Sequence, residues 1–341
     1  MKKSRCALPG ICAALGMLVL ILDSRTALEG AAQGIDLCIR SVIPALFPFF
    51  VLSAVFTGTF IGTNASMFRP LGRLCGIPQG GESILLAGLL GGYPIGAQCI
   101  GQAYAAGSLS KADARRMLGF CSNAGPAFLF GMSGTLFQNK SIPLILWAIH
   151  IVSALITGAI LPHKSYGCIQ LADRKASLGG QAVQAAIRSS ATVCGWVILF
   201  RMVLHFSERW FFWALPQQLQ IIFTGMLELT NGYVDLALLE DERLRFILAS
   251  IFLGFGGFCV ILQTISITRQ AGLDMGYYFH GKLLQTAVSA VISCLVSVSL
   301  FHEDLQSIHL GIVAGILGVV ISYILLINRK NSSSILKPSG V

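Results

Sequence analysis

Glu228 sits inside membrane-grade apolar sequence, between Leu227 and Leu229, and is followed by Thr230, Asn231 and Gly232. An ionisable side chain in such a segment is a functional-site candidate by default. An unpaired carboxylate away from water costs several kcal/mol unless a proton, a cation or a counter-charge accompanies it. A bare carboxylate repels an anionic solute, so Glu228 is assigned to ion or proton coupling, with Arg201 in the preceding span as one candidate counter-charge. The competing reading is that Glu228 caps a helix at the exposed tip of a hairpin. Other polar groups cluster at glycine and proline interruptions. Tyr93 offers a ring and a hydroxyl and Gln98 an amide, around Gly91, Gly92, Pro94 and Gly96. Ser122 and Asn123 stand beside Gly125 and Pro126, and a fourth interruption carries Gly256 and Gly257. Glycine permits close backbone approach and proline withholds a donor. These residues, with Thr230, Asn231 and Gly232, form the candidate solute-binding set. The acids and the six histidines show no catalytic or ligand spacing, and the ten cysteines form no C-x-x-C pair. No P-loop, dinucleotide fingerprint, His-Glu-x-x-His or nucleophile elbow occurs. The expectation is no enzyme, no metal and no cofactor.

The elements that must position these residues are hydrophobic helices. Of 341 residues, 55% are hydrophobic and only 11% charged, with a mean hydropathy of +0.75. A soluble domain carries about 25% charge. The chain therefore reads as an all-α polytopic membrane protein of about eight transmembrane helices plus two re-entrant broken hairpins in inverted repeats. Its net charge of +9 comes from short basic loops that set topology and does not indicate a nucleic-acid partner. The expected partners are the lipid bilayer and a small-molecule solute, with a homo-oligomer or a partner membrane protein left open.

Residues 1–34 hold an apolar run, Leu8 to Leu22, read as a retained span over a cleaved signal peptide. Residues 35–162 form a first repeat: a span from Ile39 to Ile61, a broken hairpin over 83–106, a broken span over 114–137 and a connecting span. A polar linker, 163–180, separates it from a second repeat, 181–270, with a broken hairpin over 217–240 and a broken span over 244–268. Two spans and a tail occupy 271–341. Corresponding interrupted segments in two halves point to a transporter site near the midplane. The competing reading of the glycines is tight helix packing of the Gly-x-x-x-Gly kind.

With both termini cytoplasmic and each hairpin re-entering on its own side, the inner loops collect most of the 24 Lys and Arg, including Arg116, Arg188 and Lys282. Only Arg25, Arg40, Lys140, Arg201, Arg209, Arg243 and Arg245 fall near the outer side or within a span. The last outer loop, His302-Glu303-Asp304, has no base. The positive-inside rule favours this orientation and an inverted second half.

Gly91-Gly92-Tyr93-Pro94 with Gly96-Ala97, Ser122-Asn123-Ala124-Gly125-Pro126, Glu228-Leu229-Thr230-Asn231-Gly232 and Gly254-Phe255-Gly256-Gly257 together resemble sporulation integral membrane proteins of the YlbJ type. These are similar to nucleoside-recognition Gate domain proteins and, more distantly, to concentrative nucleoside transporters. The resemblance covers roughly residues 35 to 300. It implies re-entrant hairpins in inverted repeats, and a role in the mother-cell membrane around the forespore, the outer forespore membrane, moving dipicolinate. The Gate relatives imply a nucleoside or another small polar solute. A non-transporting scaffold for spore or envelope assembly is the alternative from a different class.

Overall fold

The computed structural model describes residues 7–60, 66–162, 168–169 and 180–301. Its regular elements are all helical among the described residues, apart from one isolated bridge between Gln79 and Cys168. The expected second C-terminal span, the His302-Glu303-Asp304 loop and nearly all of the 163–180 linker lie outside the described residues.

The chain runs through α1 (Ala7–Leu22), α2 (Ser24–Leu37), α3 (Ile43–Phe60) and the short α4 (Arg69–Leu74). Next come α5 (Glu82–Gly91), α6 (Ile95–Ala105), α7 (Lys111–Cys121), α8 (Pro126–Leu136) and α9 (Ile142–Ile160). The second half holds α10 (Gly180–Trp210), α11 (Gln217–Leu227), α12 (Leu229–Asp235), α13 (Glu242–Phe255), α14 (Gly257–Gln270) and α15 (Tyr278–Leu300). Among the described residues, five segments are long and apolar enough to cross a membrane: Ser24–Val55, Ile142–Ile160, Gly180–Trp210, Glu242–Gln270 and Tyr278–Leu300. An all-helical membrane protein is the outcome.

The first of these starts earlier than the apolar run at Ile39. Asp23 caps α2 by accepting from the Thr26 N–H, and Arg25–Glu29 and Arg40–Asp36 pair one turn apart on its exposed side. Gly30 and Gly34 bring α2 against α10, where an added Cβ would lie 2.9 Å from the Met202 Cα and 2.8 Å from the Ile198 Cα. A π-helical turn, Cys38–Val42, in which the Ile43 N–H reaches back to the Cys38 carbonyl, joins α2 to α3 just ahead of Pro44. That turn absorbs the proline's missing donor without ending the helix.

Polarity is arranged as lipid demands. On α15, Leu295 is 69% exposed, whereas Lys282, Gln285, Ser289, Ser293 and Ser297 are fully buried. Their spacing of three or four residues puts them in one stripe on the inner face of the helix. Packing is exchanged between the halves. α3 lies on α10 and α9 on α15, while α7 packs on α15 as α13 packs on α9. Helix ends fall on two faces. Gly76, Pro162, Arg115 and Tyr277 meet on the first, through Arg116 and the Tyr277 N–H to Arg115 O bond. Leu136, Leu239, Arg243 and Ser297 meet on the second.

Candidate functional site

α5 and α6 are separated by Gly92-Tyr93-Pro94 and fold back on each other, so that a Cβ on Gly88 would lie 3.4 Å from the Gly96 Cα. Gly92 turns the chain at φ 77°, a conformation glycine adopts without strain. The Tyr93–Pro94 peptide is cis. α7 and α8 are separated by Ser122 to Gly125. Asn123 Nδ2 donates to the Phe120 carbonyl at 2.7 Å, closing α7, and Pro126 opens α8. There the missing proline N–H is no loss, because the first helical turn leaves its donors free anyway. The two breaks touch: a Cβ on Gly92 would lie 2.7 Å from the Gly125 nitrogen.

In the second half, α11 and α12 fold back across Glu228, with Gly225 packed on Gly232. The Glu228 carboxylate accepts from the Asn231 N–H and from Asn231 Nδ2, each at 2.7 Å, and so caps α12. The capping half of the competing reading holds, but Glu228 is 2% exposed and does not lie at an exposed tip. α13 and α14 meet at Gly256 and Gly257, φ 84° and 82°. A Cβ on Gly256 would strike the Tyr93 hydroxyl at 2.9 Å, and one on Gly257 would lie 3.2 Å from the Leu229 nitrogen.

All four breaks therefore converge. Between them lies a cavity of about 50 Å³, lined by Gly91, Gly92, Tyr93, Gly125, Glu228 and Thr230 from the candidate set. Val193 and Val197 of α10 and Val260 and Gln263 of α14 complete the walls, together with Leu46, Ala124, Ala127, Phe128 and Leu229. Asn123 and Ser122 are buried but are not among the lining residues, and neither are Pro126, Asn231, Gly256 and Gly257. Pro94 accepts from the Gln98 N–H at the start of α6. Gly96 packs on Cys121 and Ser122, and Gly232 on Gly225. Gln98 points elsewhere, its amide 3.4 Å from Ser189 Oγ in a separate recess.

Three basic residues, Arg201, Lys282 and Arg116, lie elsewhere than expected. Arg201 does not meet Glu228; it bonds Glu208 at 2.7 Å and Gln33 at 2.6 Å, on the seam between α2 and α10. Lys282 is not a loop residue. It is fully buried in α15, with Nζ 3.0 Å from the Tyr93 hydroxyl, 2.8 Å from Gln285 Oε1 and 5.1 Å from the centre of the Tyr93 ring. Gln285 Nε2 in turn donates to Asn123 Oδ1 at 3.0 Å. One helix thus holds Tyr93 of the first break and Asn123 of the second. No carboxylate lies within ion-pair distance of Lys282 among the described residues. The sequence carried one signal for it, the buried polar stripe of α15. A lysine one turn from a helix start reads equally well as a topology signal.

Arg116 also leaves its expected loop. It is 1% exposed and donates to the carbonyls of Gly76, Gly158, Leu161 and Pro162, tying α7 to the end of α9.

Over 344 aligned residues the chain is 26% identical to the sporulation integral membrane protein YlbJ of Bacillus subtilis (strain 168), covering 84% of this chain and 82% of the relative. No family model and no solved structure matches. The resemblance to sporulation integral membrane proteins of the YlbJ type, first carried by the four interrupted motifs, therefore extends over most of the chain.

Proposed function

We propose that the protein is a membrane transporter for a small polar or anionic solute, which crosses at a midplane site made by interrupted helices. The observation that carries this reading is that three of the four helix breaks line one cavity, while the fourth, at Gly256 and Gly257, packs on Tyr93 and Leu229 in its wall. Broken backbone is tolerated at membrane depth where protein covers it or a water-filled cavity receives it. In transporters such half-helix ends face the solute. Lys282, buried behind Tyr93 with no carboxylate within ion-pair distance among the described residues, is the basic group nearest the site, and in its protonated form it would favour an anionic solute. The exchanged packing of the two halves supports an inverted repeat in which α5–α6 and α11–α12 re-enter from opposite faces. The name of the Bacillus relative supports a membrane role in sporulation; the mother-cell or outer forespore membrane and a dipicolinate-like solute are what the family resemblance implies. A nucleoside is the alternative cargo.

The test is flux of labelled dipicolinate in proteoliposomes of the full-length chain, with a nucleoside as the control. Saturable dipicolinate flux above protein-free vesicles is expected. Nucleoside flux alone would change the cargo. Flux of neither, from folded protein, would favour a scaffold that assembles with a partner in the spore envelope.

A further inference from the structure

A recess of about 850 Å³ lies between α6, α10 and α14 on the first face. Carboxamides dominate its polar lining, with Gln98, Gln102, Gln184 and Gln270, and Arg188 is its one charged side chain. None of its described lining residues is acidic. Arg188 is exposed and has no ion-pair partner among the described residues.

The recess and the central cavity share their helices. On α10 the recess reaches Ser189 and Thr192, and the cavity begins at Val193. On α14 the recess ends at Ser266 and the cavity at Gln263. Along the first break, Tyr93 faces the cavity and Gln98 the recess. On α14 the two linings stand about one helical turn apart, roughly 5 Å, and on α10 they are consecutive residues. Gln98 and Ser189, both on the recess side, meet at 3.4 Å, long for a hydrogen bond. Size separates the roles of the two spaces. Small-molecule sites occupy about 300–1,000 Å³. The recess falls in that range and the cavity of about 50 Å³ does not.

We propose that the recess is a docking port for a small anionic solute rich in hydrogen-bond acceptors, held by Arg188 and the carboxamides. The solute passes to the cavity when the Gln98–Ser189 contact separates. This inference rests on the transport reading and adds to it a second, outer solute site.

The test uses full-length protein carrying Gln184→Cys or Gln270→Cys, in right-side-out and inverted membrane vesicles. Labelling by a membrane-impermeant sulfonated maleimide is read peptide by peptide, so that native cysteines do not interfere. Both positions should label from the cytoplasmic side alone. Dipicolinate at twice its dissociation constant should slow that labelling about threefold by occupancy. In flux measurements Arg188→Gln should raise the half-saturation concentration about fivefold, the scale of one exposed charge contact, with the maximal rate retained. Arg188→Lys should recover most of that loss. Normal flux with no protection of either cysteine, or with an unchanged half-saturation in Arg188→Gln, overturns the port and leaves the transport reading standing. Protection without flux would overturn the transport reading, and with it the passage from port to cavity.

Discussion

Lys282 poses the sharpest question at the level of single residues, because its hydrogen-bond partners are neutral while it lies fully inside the helical bundle. Replacing it by Met removes a buried cation, which favours the fold, and orphans the Tyr93 hydroxyl and Gln285 Oε1, which disfavours it by about 1–3 kcal/mol for each group. These effects oppose each other, so Lys282→Met should change stability by less than about 2 kcal/mol. Flux should nevertheless be lost, because Tyr93, and Asn123 through Gln285, lose their anchor. Thermal unfolding in detergent beside flux in vesicles measures both; full flux in this variant would remove Lys282 from the site. Glu228 answers to a different pair of substitutions. Glu228→Ala deletes the α12 cap and should lower stability by about 1–2 kcal/mol. Glu228→Gln keeps an acceptor for the Asn231 donors and should stay folded. If the carboxylate carries the coupling proton or cation, Glu228→Gln flattens the dependence of flux on pH or sodium more than it weakens solute binding. Parallel flux curves for wild type and variant, across a pH and sodium series, would leave Glu228 as a cap alone.

At the level of the helices, glycine does two jobs that one substitution experiment must separate. A Cβ on Gly88 would sit 1.7 Å from the Cys121 carbonyl oxygen, and one on Gly281 would sit 2.1 Å from the Gly119 carbonyl oxygen. Backbone atoms cannot step aside as a flexible side chain can. Gly88→Ala and Gly281→Ala should therefore each destabilise by at least about 3 kcal/mol. Gly195→Ala, with nothing within 4 Å, should be neutral or gain up to about 1 kcal/mol from helix propensity. Recovery of folded protein by size-exclusion chromatography separates the two classes, and normal recovery of Gly88→Ala would refute the packing. Gly92 and Gly125 belong to both classes, since they line the cavity and touch each other. A bulky residue there should lower folded yield as well as flux. The four breaks were legible in the sequence because glycine and proline are costly in apolar helices and therefore conspicuous. Their convergence was not legible, since it depends on exchanged packing between halves that have few identities in common. α2 escaped notice for the opposite reason. Its Arg25, Glu29 and Asp36, with Arg40 of the π-helical turn that follows, resemble a loop in a hydropathy scan, although they pair one turn apart along a continuous helix.

For the whole molecule, what matters is which face looks into the cell. The first face carries Gln79, Lys111, Arg115 and Asp274, with Lys111 at 3.5 Å and Arg115 at 2.7 Å from the Asp274 carboxylate. Arg69, Arg73 and Arg269 belong to helix ends on the same side, and Arg188 lies about two turns into α10. The second face carries Lys140, Glu240, Asp241, Arg243 and Arg245, a more balanced set, together with the exposed Trp210 and Trp213, a residue type enriched at membrane interfaces. Moving Lys282 out of the loop count and into α15 removes one base from the first face without reversing the asymmetry. Basic loops are retained in the cytoplasm, so the first face, and the recess that opens on it, should be cytoplasmic. Gln79 and Lys140 are both exposed and lie on opposite faces. Exposed substitutions of this kind usually shift stability by no more than about 0.5 kcal/mol, so Gln79→Cys and Lys140→Cys should both assemble normally. Asp304, the outer position suggested by the base-free last loop, lies outside the described residues, and Lys140 takes its place in the experiment. An impermeant maleimide applied to intact cells should label Lys140→Cys and miss Gln79→Cys until the membrane is permeabilised. The reverse pattern would invert the molecule. It would then place the Arg188 recess on the outer side, so that solute would dock from outside the cell and leave across the face that bears Lys140.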